Sequence, residues 1–150
     1  MIATPALAVS EAVMHRDPGC GCWVQWAAQV RKAFGRNVRI VDDANRAARQ
    51  RKIGLTVEFE SCHTALIDGR AFEGHVPIAD MKRVLASKPK GVSGLAVAGM
   101  PIGSPGMEVP GRSADRYPVA AFGTGKPFVY ARHLILAAAR FPKFAVEASR

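Results

Sequence analysis

Trp23, Trp26, Ala27, Val30 and Phe34 recur at the spacing of one helix face, Gln25, Gln29, Arg31 and Lys32 fall between them, and Gly35 stops the pattern. The spacing predicts a helix that opens at Cys20 and Cys22, with both cysteines on its first turn. Ahead of the Pro18-Gly19 turn, Ala12 to Met14 predicts a first strand. Asn37 to Asp42 alternates as a second strand, and Asp42 or Asp43 can cap a basic helix that ends near Gly54. From Thr64 the pattern is two strands joined by the Asp68-Gly69 turn, a dipeptide suited to the left-handed backbone of a tight hairpin. Pro77 opens a further amphipathic helix with Ile78, Met81, Val84 and Leu85 on one face, ended by Lys88-Pro89.

After Lys90 the periodicity vanishes. Residues 91–111, rich in Gly, Pro and small side chains and carrying Met100 and Met107, predict a long ordered loop, a feature uncommon without a function. Residues 122–133 then predict a terminal hairpin ending at His133, and residues 134–150 a short helical tail. The succession strand, helix, strand, helix, hairpin, helix is that of an α/β thioredoxin-like (glutaredoxin-like) fold, a mixed sheet flanked by helices. Residues 61–75 resemble the glutaredoxin segment of strand, turn and strand, and counting back from Asp68 that resemblance puts His63 where the fold keeps its cis-proline, so Cys62 and His63 are expected to face Cys20 and Cys22.

Composition bounds the chain without naming a function. A hydrophobic share of 49% over 150 residues is enough for one core without metal or disulfide support. We read residues 1–11 as an N-terminal segment, 12–133 as the domain and 134–150 as a tail. The net charge of +9 first suggests nucleic acid or an anionic membrane. The densest basic cluster, Arg46 to Lys52, has no interleaved aromatics and reads as a solvated face, so nucleic acid is not expected as a partner. No apolar run is long enough to span a bilayer. Ala6-Leu7-Ala8 has the small-x-small pattern of a signal-peptidase site, and we expect export.

Chemistry concentrates in the soft donors. Thiolates and thioethers favour Cu(I), whereas structural zinc asks for four Cys or His ligands in paired spacings that this chain lacks. Cys20, Gly21 and Cys22 can bring two sulfurs to one ion, and a helix N-terminus is expected to lower their thiol pKa. Cys62, His63, His75, Met100 and Met107 are the donors that could join them. His15 reads as a surface residue beside the cysteine turn. Metal binding and thiol redox chemistry both remain open for the pair, and a scaffold role for the basic surface is a third reading.

The stretches around Cys20 to Trp26, Ser61 to Ala65, Glu73 to Pro77, Gly94 to Glu108 and Tyr130 to His133 closely resemble the family known as domain of unknown function 411, which includes the CopG copper-resistance proteins of bacterial periplasms. The resemblance implies a thioredoxin-like fold, a periplasmic location, and copper held by the cysteines as Cu(I), with interconversion to Cu(II) as an extension. Copper ions and other periplasmic copper-handling proteins are the partners it implies. Carried over residue by residue, it leaves Cys20, Cys22, Cys62, His63, His75, Met100 and Met107 as metal-site candidates. It departs at Trp23, which stands where the family pattern Cys-x-Cys-Cys has its third cysteine. The competing expectation is a thiol-disulfide oxidoreductase with Cys20 or Cys22 as nucleophile and Cys62 as resolving thiol.

Overall fold

A computed structural model of the chain describes residues 11–133. The expected leader pattern at Ala6 to Ala8 and the expected helical tail at 134–150 lie outside the described residues. Seven strands form one mixed sheet: β1 (Ala12–Arg16), β2 (Val38–Asp42), β3 (His63–Ile67), β4 (Arg70–Glu73), β5 (Val92–Ala96), β6 (Tyr117–Gly123) and β7 (Phe128–His133). Among the described residues three α-helices accompany them, α1 (Trp23–Phe34), α2 (Arg46–Lys52) and α3 (Ile78–Ser87). The spatial order is β2-β1-β3-β4-β5-β6-β7, with the β1/β2 and β4/β5 pairs parallel and the remaining pairs antiparallel. No helix among the described residues is long and apolar enough to cross a membrane.

Strand alternation sorts the two sheet faces. Ala65, Ile67 and Phe72 join Met14, Trp26, Ala27, Val30, Met81 and Val84 in the main core, which places α1 and α3 on one face. Leu66, Ala71, Ala96 and Phe122 pack on the opposite face against Ile53, Leu55 and Phe59, the segment that follows α2. The two helices predicted from their periodicity end as expected. Gly35, at φ +61°, closes α1 by donating its N–H to Arg31, and left-handed Lys88 closes α3 by donating to Val84.

Three expectations are corrected. The segment 91–111 is not all loop, because Val92–Ala96 forms β5 between β4 and β6. Its residues are buried on both sides, so no alternation marks it, and Gly94 sits so close to β4 that an added Cβ would fall 2.0 Å from the Ala71 carbonyl oxygen. The basic stretch Arg46 to Lys52 is not wholly a solvated face, since Arg46 is 5% exposed and Gln50 is fully buried against the sheet. His15 is buried rather than on the surface, with Nδ1 3.0 Å from the Asp43 carboxylate.

Candidate metal centre

Two connections meet at one end of α1. The turn after β1 carries Cys20 and Cys22, and the segment entering β3 carries Cys62 and His63. Cys22 is the N-cap of α1, so the cysteines precede the helix rather than occupying its first turn. The Asp17 N–H donates to the Cys62 carbonyl at 2.9 Å, and the Cys20 N–H donates to the Asp17 carbonyl at 3.1 Å, so the two segments are stitched by their own backbones.

The side chains converge accordingly. Cys20 and Cys62 are joined as a disulfide, with Cα atoms 6.3 Å apart, and Cys22 is free. The Cys22 sulfur lies 3.4 Å from that of Cys20 and 3.2 Å from that of Cys62. The three sulfurs and a ring nitrogen of His63 all lie within 4.8 Å of one another. Burial pushes the Cys22 thiol pKa up, the reverse of the lowering expected from a helix N-terminus; loss of water around the thiolate outweighs the lowering by a backbone hydrogen bond.

Two imidazoles stand beside the sulfurs. His63 and His75 are buried with their rings edge to face, centroids 5.0 Å apart. His75 Nδ1 is 2.9 Å from the Pro105 carbonyl, which can only accept, so Nδ1 carries the proton and Nε2 keeps its lone pair. Nε2 of both rings is buried and has no hydrogen-bond partner among the described residues. Burial, with a smaller contribution from the neighbouring His75, depresses the His63 pKa to about 3, and burial also lowers that of His75, so both rings are neutral donors at neutral pH.

Cys22, Ser61, Cys62, His63, His75, Gly99 and Met100 line a cavity of about 200 Å³. Met100 is 57% exposed and marks its open side. Met107 is not among the lining residues; its N–H donates to the Ser104 carbonyl and its own carbonyl accepts from Gly103, so its backbone shapes the loop that carries Met100. That loop lies close along α1. A Cβ on Gly106, at φ +83°, would fall 2.7 Å from the Trp26 nitrogen, and Glu108 accepts from the Gln29 side chain at 2.9 Å.

Trp23 holds the cysteine turn from outside the cavity. Its indole N–H donates to the Cys20 carbonyl at 2.8 Å, the Arg16 guanidinium donates to the same oxygen at 2.9 Å, and Arg16 also stacks over the indole ring at 5.1 Å. Sequence reasoning missed the residues beneath the site. Asp17, Arg46, Ser61 and Glu73 form a hydrogen-bonded cluster on the α2 face, directly behind the two cysteine segments. Asp17, Ser61 and Glu73 sit beside or near the site residues in the chain and could have been suspected. Nothing local marks Arg46, whose partners are brought to it only by sheet pairing.

The donor set suits a soft ion: thiols, a thioether and two neutral imidazole nitrogens, with no carboxylate in the group. The chain matches the family described as protein of unknown function DUF411 over residues 59–107. Two solved structures, both named copper resistance protein CopG and distinguished as form 1 and form 2, are similar to it. Each is 37% identical with a TM-score of 0.72; they account for 82% and 83% of this chain and 96% and 98% of their own. No curated protein sequence matches it.

Proposed function

The chain belongs to the family of copper resistance protein CopG, and from that premise we propose that it is a copper-binding protein of copper tolerance that takes Cu(I) through Cys20, Cys22 and Cys62. The observation that carries the reading is the convergence of three sulfurs with the His63 ring nitrogen inside 4.8 Å. His63, His75 and Met100 complete the donor set around the shared cavity. Two electrons and two protons from a thiol reductant open the Cys20–Cys62 disulfide and free both sulfurs as ligands. Binding then displaces the remaining thiol protons, so affinity rises with pH.

An anaerobic Cu(I) titration of reduced protein against a competing chelator tests the reading, with Zn(II) as control and the triple Cys→Ser variant alongside. Tight binding of defined stoichiometry that the variant loses is the expected result. Binding that the variant retains refutes it.

The same reading places the protein in the periplasm, on the support of the Ala6-Leu7-Ala8 pattern, and fractionation of cells expressing the full chain checks it; recovery from the cytoplasm overturns it. It also takes β1 to β4 with α1 and α3 as a thioredoxin-like core. The support is the order β2-β1-β3-β4, with β1 parallel to β2 and the other pairs antiparallel, and a cysteine turn leading into α1. An experimental structure of the copper-loaded chain with a different core order refutes that assignment.

One observation favours a second reading, a thiol-disulfide oxidoreductase. A free thiol, Cys22, stands within reach of both sulfurs of the Cys20–Cys62 disulfide, the arrangement in which an attacking thiolate exchanges partners. Metal-free protein that reduces a model disulfide, and loses that activity on Cys22→Ser, supports it; absence of turnover removes it.

A further inference from the structure

Arg46 and Glu73 lie on the sheet face opposite α1, yet every segment that contributes a donor to the cavity's inner wall is tied to one or both. The Arg46 guanidinium donates through Nε and Nη2 to the two oxygens of Asp17 at 2.9 and 2.8 Å. Asp17 in turn anchors the backbone of Cys20 and Cys62. Nη2 also donates to the Ser61 carbonyl, and Nη1 donates to Glu73 at 3.1 Å. Glu73 accepts from the Ser61 N–H at 2.6 Å, the Ser61 hydroxyl at 2.8 Å, Gln50 at 2.7 Å and the Thr64 hydroxyl. Ser61 directly precedes Cys62, and Glu73 is two residues before His75, so one ion pair joins the three segments that carry Cys20 and Cys22, Cys62 and His63, and His75.

We propose that Arg46, anchored by its buried ion pair with Glu73 and reaching through its other nitrogens to Asp17 and Ser61, is the positioning residue of the site, setting how closely the thiols of Cys20, Cys22 and Cys62 approach one another. An ion pair is a poor choice for stability alone, because apolar residues of the same volume commonly match or exceed a buried salt bridge. What apolar residues cannot supply is direction. Arg46 uses the planar fork of its guanidinium to address Asp17, Ser61 and Glu73 at once, which a lysine ammonium cannot reproduce. Thiols forty residues apart meet only if both segments hold their relative height, and a small displacement is enough to spoil a disulfide or a shared ligand set.

The inference rests on the three thiols acting together, as the copper reading requires, but its first readout needs no copper. The full chain is equilibrated with reduced and oxidised glutathione, and the Cys20–Cys62 disulfide is quantified by thiol trapping for wild type, Arg46→Lys, Glu73→Gln and Asp17→Asn. Arg39→Gln, which breaks the exposed pair with Glu11, is the control. Urea unfolding of each protein separates loss of fold from loss of positioning. The expected result is that folded Arg46→Lys, Glu73→Gln and Asp17→Asn shift the equilibrium toward the dithiol by about tenfold or more, with a parallel loss of Cu(I) affinity, while the control stays at wild type. Wild-type equilibrium constants in variants that fold cooperatively overturn the proposal. If Arg46→Lys and Glu73→Gln fail to fold, Asp17→Asn decides alone, since its carboxylate is 48% exposed and its loss severs only the arm to the cysteine turn. Wild-type protein without cysteine-dependent Cu(I) binding defeats the copper reading and leaves the glutathione result to stand by itself.

Discussion

The sulfur of Cys22 stands 3.2 Å from that of Cys62, although forty positions separate them in the chain. Cys22 is the free thiol of the three, and it touches a sulfur that is already bonded to Cys20. Two variants divide its roles. Cys22→Ser leaves the Cys20–Cys62 disulfide able to form and removes one thiolate from the donor set. Cys62→Ser removes a thiolate and the disulfide together. Both are expected to weaken Cu(I) binding by more than about tenfold in a chelator competition, whereas only Cys62→Ser abolishes the disulfide seen by thiol trapping. Unchanged affinity in Cys22→Ser would remove that residue from the site.

His75 gives a test of the nitrogen donors. Its Nδ1–H is committed to the Pro105 carbonyl at 2.9 Å, so its buried Nε2 is the atom free to meet an ion. His75→Phe keeps the ring and its packing but removes both nitrogens. Stability should fall by only about 1 kcal/mol, the value of one hydrogen bond with its acceptor left behind, as measured by urea unfolding. Cu(I) affinity should drop by about tenfold or more in the competition titration. A large loss of stability with unchanged copper affinity would make His75 a structural residue.

The two loop methionines separate in the same assay. Met100 lines the cavity, whereas Met107 contributes backbone hydrogen bonds within the loop. Met100→Leu conserves volume and removes the thioether, so it should weaken Cu(I) binding or lower its stoichiometry, while Met107→Leu should leave both unchanged. The reverse pattern would show that the loop rearranges when copper binds.

The legible parts of this chain are those in which one face of an element is buried and the other wet. The Trp23 to Phe34 stripe with Gly35, the Asp68-Gly69 turn and the helix after Pro77 each carry a local signal, and each appears where the pattern puts it. Strand β5 was illegible because it is covered on both faces, and Gly94 at its centre looks like loop punctuation when it is the only residue the adjacent Ala71 carbonyl tolerates. The meeting of Cys62 with Cys20 and Cys22 was readable through the likeness of residues 61–75 to a glutaredoxin segment, not through element order alone. The buried Arg46–Glu73 pair was not: an arginine within a basic stretch looks solvated until sheet pairing delivers a carboxylate beneath it. The direction of the Cys22 shift was also misjudged, because helix-terminus effects are visible in sequence and desolvation is not.

Acid should destabilise the metal-free protein through His63 before the carboxylates titrate. Burial, helped by the nearby His75, holds the His63 pKa at about 3, while the unfolded chain keeps the ordinary value of 6.5. Between those values the unfolded state binds a proton that the folded state refuses, so stability is present above pH 6.5 and drains as pH falls. One such group contributes a slope approaching about 1.4 kcal/mol per pH unit at pH values well under 6.5, and His75 and His15, both lowered by burial, add to it with the same sign. His63→Leu deletes this titration without introducing a polar group into the core. Urea unfolding at pH 6.0, 5.5 and 5.0 should therefore show a shallower loss of stability in His63→Leu than in wild type, each measured from its own value at pH 7. Parallel curves would mean that the imidazole is protonated in the folded protein and finds a partner for that charge.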